Sequence, residues 1–183
     1  MPRILSLLAL VACATTPEAS PNYPVSPTLE PEPAAVASVL DRMHQAAADA
    51  DEETYFACYS DDSIFMGTDA TERWTKAEFQ AYAHPFFAQG RAWAFRATRR
   101  EIMFDATGSL AWFDEDLATN ALGPARGSGV LRRNADGRWH VVHYNLALTI
   151  PNERFSEVAE LLSGGDDTPG EEDEATPDIA NEE

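Results

Sequence analysis

The run Asp114-Glu115-Asp116, preceded by Trp112 and Phe113, sets three side chains that could move a proton beside two large aromatics. In a strand, neighbouring carboxylates alternate faces, so either Glu115 or the Asp114/Asp116 pair points inward. Phe113 and Leu117 share the parity of Glu115 and favour it, whereas Trp112 has the opposite parity and competes. A carboxylate enclosed by apolar groups is pushed towards its neutral form and can work as general acid or base. The plainer alternative is an ion pair between Glu115 and an arginine such as Arg126, with Asp114 and Asp116 left in solvent.

Two further candidates lie near the end of the sequence. A strand over 138–150 places Trp139, Val141, His143 and Asn145 on one face, and His140, Val142, Tyr144, Leu146 and Leu148 on the other. His143 is a candidate proton shuttle and Tyr144 a candidate hydrogen-bond donor to developing negative charge. Against them stand the ordinary roles of a structural histidine and a core tyrosine. The stretch 63–78, S-I-F-M-G-T-D-A-T-E-R-W-T-K-A-E, adds a pocket wall. It runs from Phe65 through a polar loop carrying Asp69, Glu72 and Arg73 to Trp74. Asp69 equally fits an Asx turn with no ligand. Phe65, Asp69, Trp74, Trp112, Phe113, Arg126 and Asn145 are the expected ligand contacts.

Other chemistry is disfavoured. The histidines at 44, 84, 140 and 143 lack metal-ligand spacing, and His140 and His143 fall on opposite strand faces, so no metal is expected. There is no glycine-rich phosphate loop. The run R-G-S-G at 126–129 is strand-like and reads as close backbone packing, so no cofactor is expected. Cys58, within Y-F-A-C-Y, reads as a small buried hydrophobe.

The elements that must position these residues follow from periodicity. Val36, Val39, Leu40, Met43 and Ala47 mark an amphipathic first helix. Asp49 or Asp51 can cap a short second helix bearing Tyr55, Phe56 and Tyr59. Residues 64–66 form a strand, and Thr75 with Glu78 makes a capping box for a third helix, kinked and stopped by Pro85 and Gly90. The period then shortens to two. Strands are expected over 93–104, with a bulge near Arg99-Arg100, and over 109–118, 126–133 and 138–150, with a tight turn at 134–137. Asn152 can cap a last helix with Phe155, Val158, Leu161 and Leu162. Three helices with one embedded strand, followed by four long antiparallel strands, define an α+β domain.

That domain spans 34–162. Before it, Arg3 and an apolar run end in Leu10-Val11-Ala12-Cys13, which resembles a bacterial lipobox over a 1–12 signal peptide; lipidated Cys13 would hold an exported protein at a membrane surface. Residues 14–33 contain six prolines and read, with Cys13, as a disordered linker over 13–33. The tail, 163–183, reads as disordered too: nine acidic and no basic residues lie between 166 and 183. The formal net charge of −18 is therefore uneven, since 33–162 holds 19 acidic and 12 basic residues. No basic cluster that could neutralise phosphates is visible, which argues against nucleic-acid binding.

The stretches I-F-M-G-T-D-A-T-E-R-W, A-W-F-D-E, R-G-S-G-V-L and D-G-R-W-H-V-V-H-Y-N-L, in that order, resemble the SnoaL-like group of the nuclear-transport-factor-2-like superfamily. The resemblance implies a cone-shaped curved antiparallel sheet wrapped around three N-terminal helices, with a short C-terminal helix, often dimeric through the outer face of the sheet. It does not choose an activity. Three functions stay open: a tethered domain binding a small apolar molecule, a cofactor-independent isomerase, dehydratase or hydrolase using Glu115, Tyr144 or His143, and a dimerising module whose cone is plugged by its own aromatics.

Overall fold

The computed structural model describes residues 29–119 and 122–163. The expected signal peptide with Cys13, nearly all of the linker, and all of the tail beyond Ser163 lie outside these residues. Three helices and a six-stranded sheet are built as α1 (Pro33–Ala48), α2 (Glu52–Ala57), β1 (Tyr59–Met66), β2 (Arg73–Thr75), α3 (Lys76–Ala88), β3 (Arg96–Phe104), β4 (Leu110–Ala118), β5 (Ala125–Arg133) and β6 (Trp139–Leu148). A 3-10 turn, Asn152–Arg154, leads into α4 (Phe155–Leu162). No helix among the described residues is long and apolar enough to cross a membrane.

The sheet order is β2-β1-β6-β5-β4-β3. Pairing is antiparallel except at β1–β6, which run parallel. The one parallel pair arises because β1, the strand embedded among the helices, turns back through β2 into α3 and lies beside the last strand rather than extending a meander. The apolar stripe of α1 is buried as its spacing predicts, with Val36, Leu40, Met43 and Ala47 no more than 1% exposed. This stripe and the inner face of the sheet enclose one main core.

Local signals acted where their chemistry is strongest. Asp51, rather than Asp49, caps α2 by accepting the Thr54 N–H at 3.0 Å. Thr75 and Glu78 form the capping box at α3. Several boundaries moved. Tyr59 opens β1 instead of closing α2, and its hydroxyl bonds to that of Tyr55 at 3.1 Å. Trp74 lies in the short strand β2, paired with Phe65 across the loop. The third strand begins only at Arg96. Asn152 starts the 3-10 turn, and α4 follows without a side-chain cap.

Candidate functional site

Glu115 sits on the inner face of β4 between Phe113 and Leu117, and it is fully buried. Three side chains converge on it. His44, from α1, places Nε2 2.7 Å from Oε1. Tyr144, from β6, donates its hydroxyl to the same oxygen at 3.0 Å. Arg100, from β3, donates Nε to Oε2 at 2.7 Å. Arg100 also donates Nη1 to Asp41 at 2.7 Å and to the Ala37 carbonyl at 3.3 Å, tying β3 to α1.

Two β-bulges bring this group together. Ala97 faces Leu117 and Arg99 faces Asp116, so Thr98 is an extra residue in β3. Arg100, three residues after Ala97, would face outward in a regular strand; the bulge turns it inward. In β6, Leu131 faces Val141 and Val130 faces His143, leaving Val142 as the extra residue. Val141 and Tyr144 therefore both point into the core, at 0% and 3% exposure.

The same bulge sends His143 to the outer face, away from Glu115. The regular alternation of β4 and β5 likewise carries Trp112 outward, 43% exposed, and Arg126 outward, where its Nε lies 3.7 Å from Asp116. The arginine that pairs with Glu115 is Arg100, not Arg126. Asn145, next to inward Tyr144, lies outside the cavity lining.

Gly127 is opposite Glu115 on β5. A Cβ at this position would lie 2.3 Å from the Tyr144 hydroxyl and 2.9 Å from Glu115 Oε1, so only glycine lets the two meet. This gives the R-G-S-G run its reason. Gly127→Ala is expected to cost about 1–3 kcal/mol through overpacking. Adding Tyr144→Phe, which removes the nearest clashing atom, should recover part of that loss; urea midpoints of the single and double variants check both.

The electrostatics are set by these contacts. Burial acts to raise the Glu115 carboxyl, but the hydrogen bond and charge of His44 and the charge of Arg100 outweigh it and hold the group below its ordinary value. Burial, aided by the Glu115 charge, pushes the Tyr144 phenol well above its usual range, so the phenol stays protonated. An ionised carboxylate only accepts. In neutral His44 the bonded Nε2 must then carry the proton, leaving the Nδ1 lone pair as the basic site.

His44 and Tyr144 line a cavity of about 200 Å³, with Phe65, Trp74, Trp93 and Leu146 among its walls and exposed Tyr82, Phe86 and Leu122 at its rim. Glu115 lies behind these two groups and does not line it. Phe113 packs against Tyr144 with ring centroids 5.8 Å apart, also behind the lining. Asp69 is exposed, accepting the Thr71 N–H at 2.8 Å in a local turn, while Glu72 from the same loop does line the cavity. With Trp74 in the wall and Trp112 outside, the cone is not plugged. Among the described residues, no group of three His, Cys, Asp or Glu side chains could hold a metal ion.

His44 escaped sequence reasoning as a site residue. The available signal was its place on the α1 stripe, four residues after Leu40 and eight after Val36, where an imidazole facing an apolar core needs a partner.

A family model for the SnoaL-like domain matches residues 36–151. No curated protein matches the sequence. Among solved structures, a Nostoc punctiforme protein of unknown function with a cystatin-like fold aligns at TM-score 0.55 and 15% identity, over 66% of this chain and 96% of its own. A Pseudomonas putida nuclear-transport-factor-2-like protein of unknown function aligns at 0.51 and 18%, over 66% and 88%. A Novosphingobium aromaticivorans protein provisionally named a scytalone dehydratase aligns at 0.54 and 11%, over 64% and 83%. These likenesses establish the fold, which the order of elements and the enclosed core already displayed. The chain belongs to the SnoaL-like domain family.

Proposed function

We propose that this domain binds a small, largely apolar molecule in its cavity and transfers a proton on it without a cofactor. The observation that carries the proposal is the pairing of His44 with buried Glu115 at 2.7 Å, placing an oriented imidazole in the wall of an apolar cavity. Glu115 holds the Nε2–H form of the ring. Nδ1 can then accept a substrate proton, the carboxylate stabilises the resulting imidazolium, and the ring returns the proton later in the cycle. Tyr144, donating to Glu115, keeps oxygen lone pairs that can accept from a substrate hydroxyl. In this scheme His44 does the work expected of His143, and Glu115 positions it instead of touching substrate. The dehydratase name of one structural neighbour is compatible with such chemistry but lends it only a shared fold.

A cavity of about 200 Å³ suits a single-ring molecule, since an engineered apolar cavity of about 150 Å³ takes benzene. A generic probe of a positioned base tests the proposal. In 5-nitrobenzisoxazole, removal of the ring C–H proton breaks the N–O bond and releases a coloured phenolate. Saturable turnover above the buffer rate is the expected result; a rate no greater than that of free imidazole at equal concentration overturns proton transfer and leaves a binding cavity.

The proposal includes location and assembly. Lipidated Cys13 would tether the exported domain at a membrane surface, and labelled fatty acid should enter the full chain in bacteria but not the Cys13→Ser variant. The homodimer implied by the family would use the outer face of the sheet, where Met103 and Trp112 are paired neighbours, 36% and 43% exposed.

A further inference from the structure

Among the described residues, Glu72 is the one acidic side chain lining the cavity, and no lysine or arginine lines it. Its carboxylate is folded back over Gly67, where a Cβ would lie 2.0 Å from Oε2, and that oxygen accepts the Asp69 N–H at 3.2 Å. Glu72 thus lines the cavity half-buried, its carboxylate held by its own loop and without an ion pair among the described residues. Arg73, next in the chain, lies on exposed β2 and takes no part in the lining.

The surroundings of Glu72 carry the same sign. Eight of the fifteen lining residues are Phe, Tyr or Trp. Trp74 and Tyr82 stack with centroids 4.5 Å apart, and Tyr82 meets Phe86 at 5.5 Å, although Tyr82 and Phe86 remain 46% and 45% exposed. Aromatic faces are the negative end of the ring quadrupole, so a collar of rings beside a carboxylate attracts a cation and repels an anion. Farther in, the Tyr144 hydroxyl and the Nε2 of His44 are committed to Glu115, which removes two donors that an anion would need.

We propose that the cavity recognises a small organic cation: an ammonium-bearing molecule with a ring-sized apolar body. Its charged end lies at Glu72 among the rim aromatics, and its other end reaches His44 and Tyr144. This assigns the substrate class of the cavity and rests on the reading that the cavity is the ligand site.

Three probes of nearly equal shape separate the two claims: benzylammonium, benzyl alcohol and benzoate, titrated into the full chain and followed by NMR shifts of cavity residues at low salt. Benzylammonium is expected to bind about tenfold more tightly than benzyl alcohol, with benzoate weakest. Glu72→Gln keeps an acceptor for the Asp69 N–H and should narrow the gap between cation and alcohol to about twofold. Equal affinities, tighter binding of benzoate, or a gap untouched by Glu72→Gln overturns the cation assignment while leaving the cavity as a ligand site. Cavity residues that respond to none of the three probes overturn both.

Discussion

Exchange of His44 for Gln lowers 5-nitrobenzisoxazole turnover about 10²- to 10³-fold, the range in which removal of a positioned general base is felt. Gln is chosen because its amide can still donate to Glu115 Oε1, the bond that His44 makes at 2.7 Å. Stability should consequently fall by only about 1 kcal/mol, and probe binding should persist, since the aromatic walls are untouched. A variant that binds the probe and keeps its turnover would show that the cavity, not the imidazole, is responsible for the rate. Measuring the rate constant and the affinity separately keeps the two apart.

Glu115→Gln is expected to cost about 3–5 kcal/mol, the range for breaking a buried ion pair from one side. The single amide oxygen of Gln can accept from Arg100 on one side or from His44 and Tyr144 on the other, not both, and among the described residues the Arg100 Nη2 is already buried without a partner. The pH dependence gives a second readout. The folded-state carboxyl lies below its ordinary value, so the unfolded chain binds the proton more readily. The contribution of this carboxylate is complete above the unfolded value of about 4.3 and disappears as pH falls through the folded one. The stability gap between wild type and variant should therefore be wide at neutral pH and close in acid. Urea midpoints across that span test it, and a gap independent of pH would show that packing, not charge, supplies the stability. Turnover should fall as well, because the amide no longer stabilises an imidazolium.

Legibility from sequence followed regularity. The buried face of α1 and the inward turn of Glu115 could be read because both elements keep their period without interruption. Tyr144 and His143 were expected on faces defined by strict alternation along β6, and the single extra residue Val142 reverses the relation of Tyr144 to Val141. The bulge in β3 was legible from its slipped alternation, yet its consequence, Arg100 turned inward towards Glu115, depends on register with β4. His44 and Glu115 are 71 residues apart, and a pair formed by packing a helix across a sheet has no signature in local spacing. Trp112 has the chemistry of a ligand contact, but its parity opposes that of Glu115, and parity decides the side of the sheet.

The parallel seam between β1 and β6 also bears on how the protein is made. β1 is the first strand to leave the ribosome and β6 the last, yet they are neighbours in the middle of the sheet. Until Trp139–Leu148 has emerged, the β2–β1 hairpin and the β3–β4–β5 meander are two separate fragments, each with an open edge. Tyr144 arrives with that final strand, so the sheet and the cavity close in the same late event. A chain cut before Trp139 would be two sticky half-sheets rather than a smaller version of the domain.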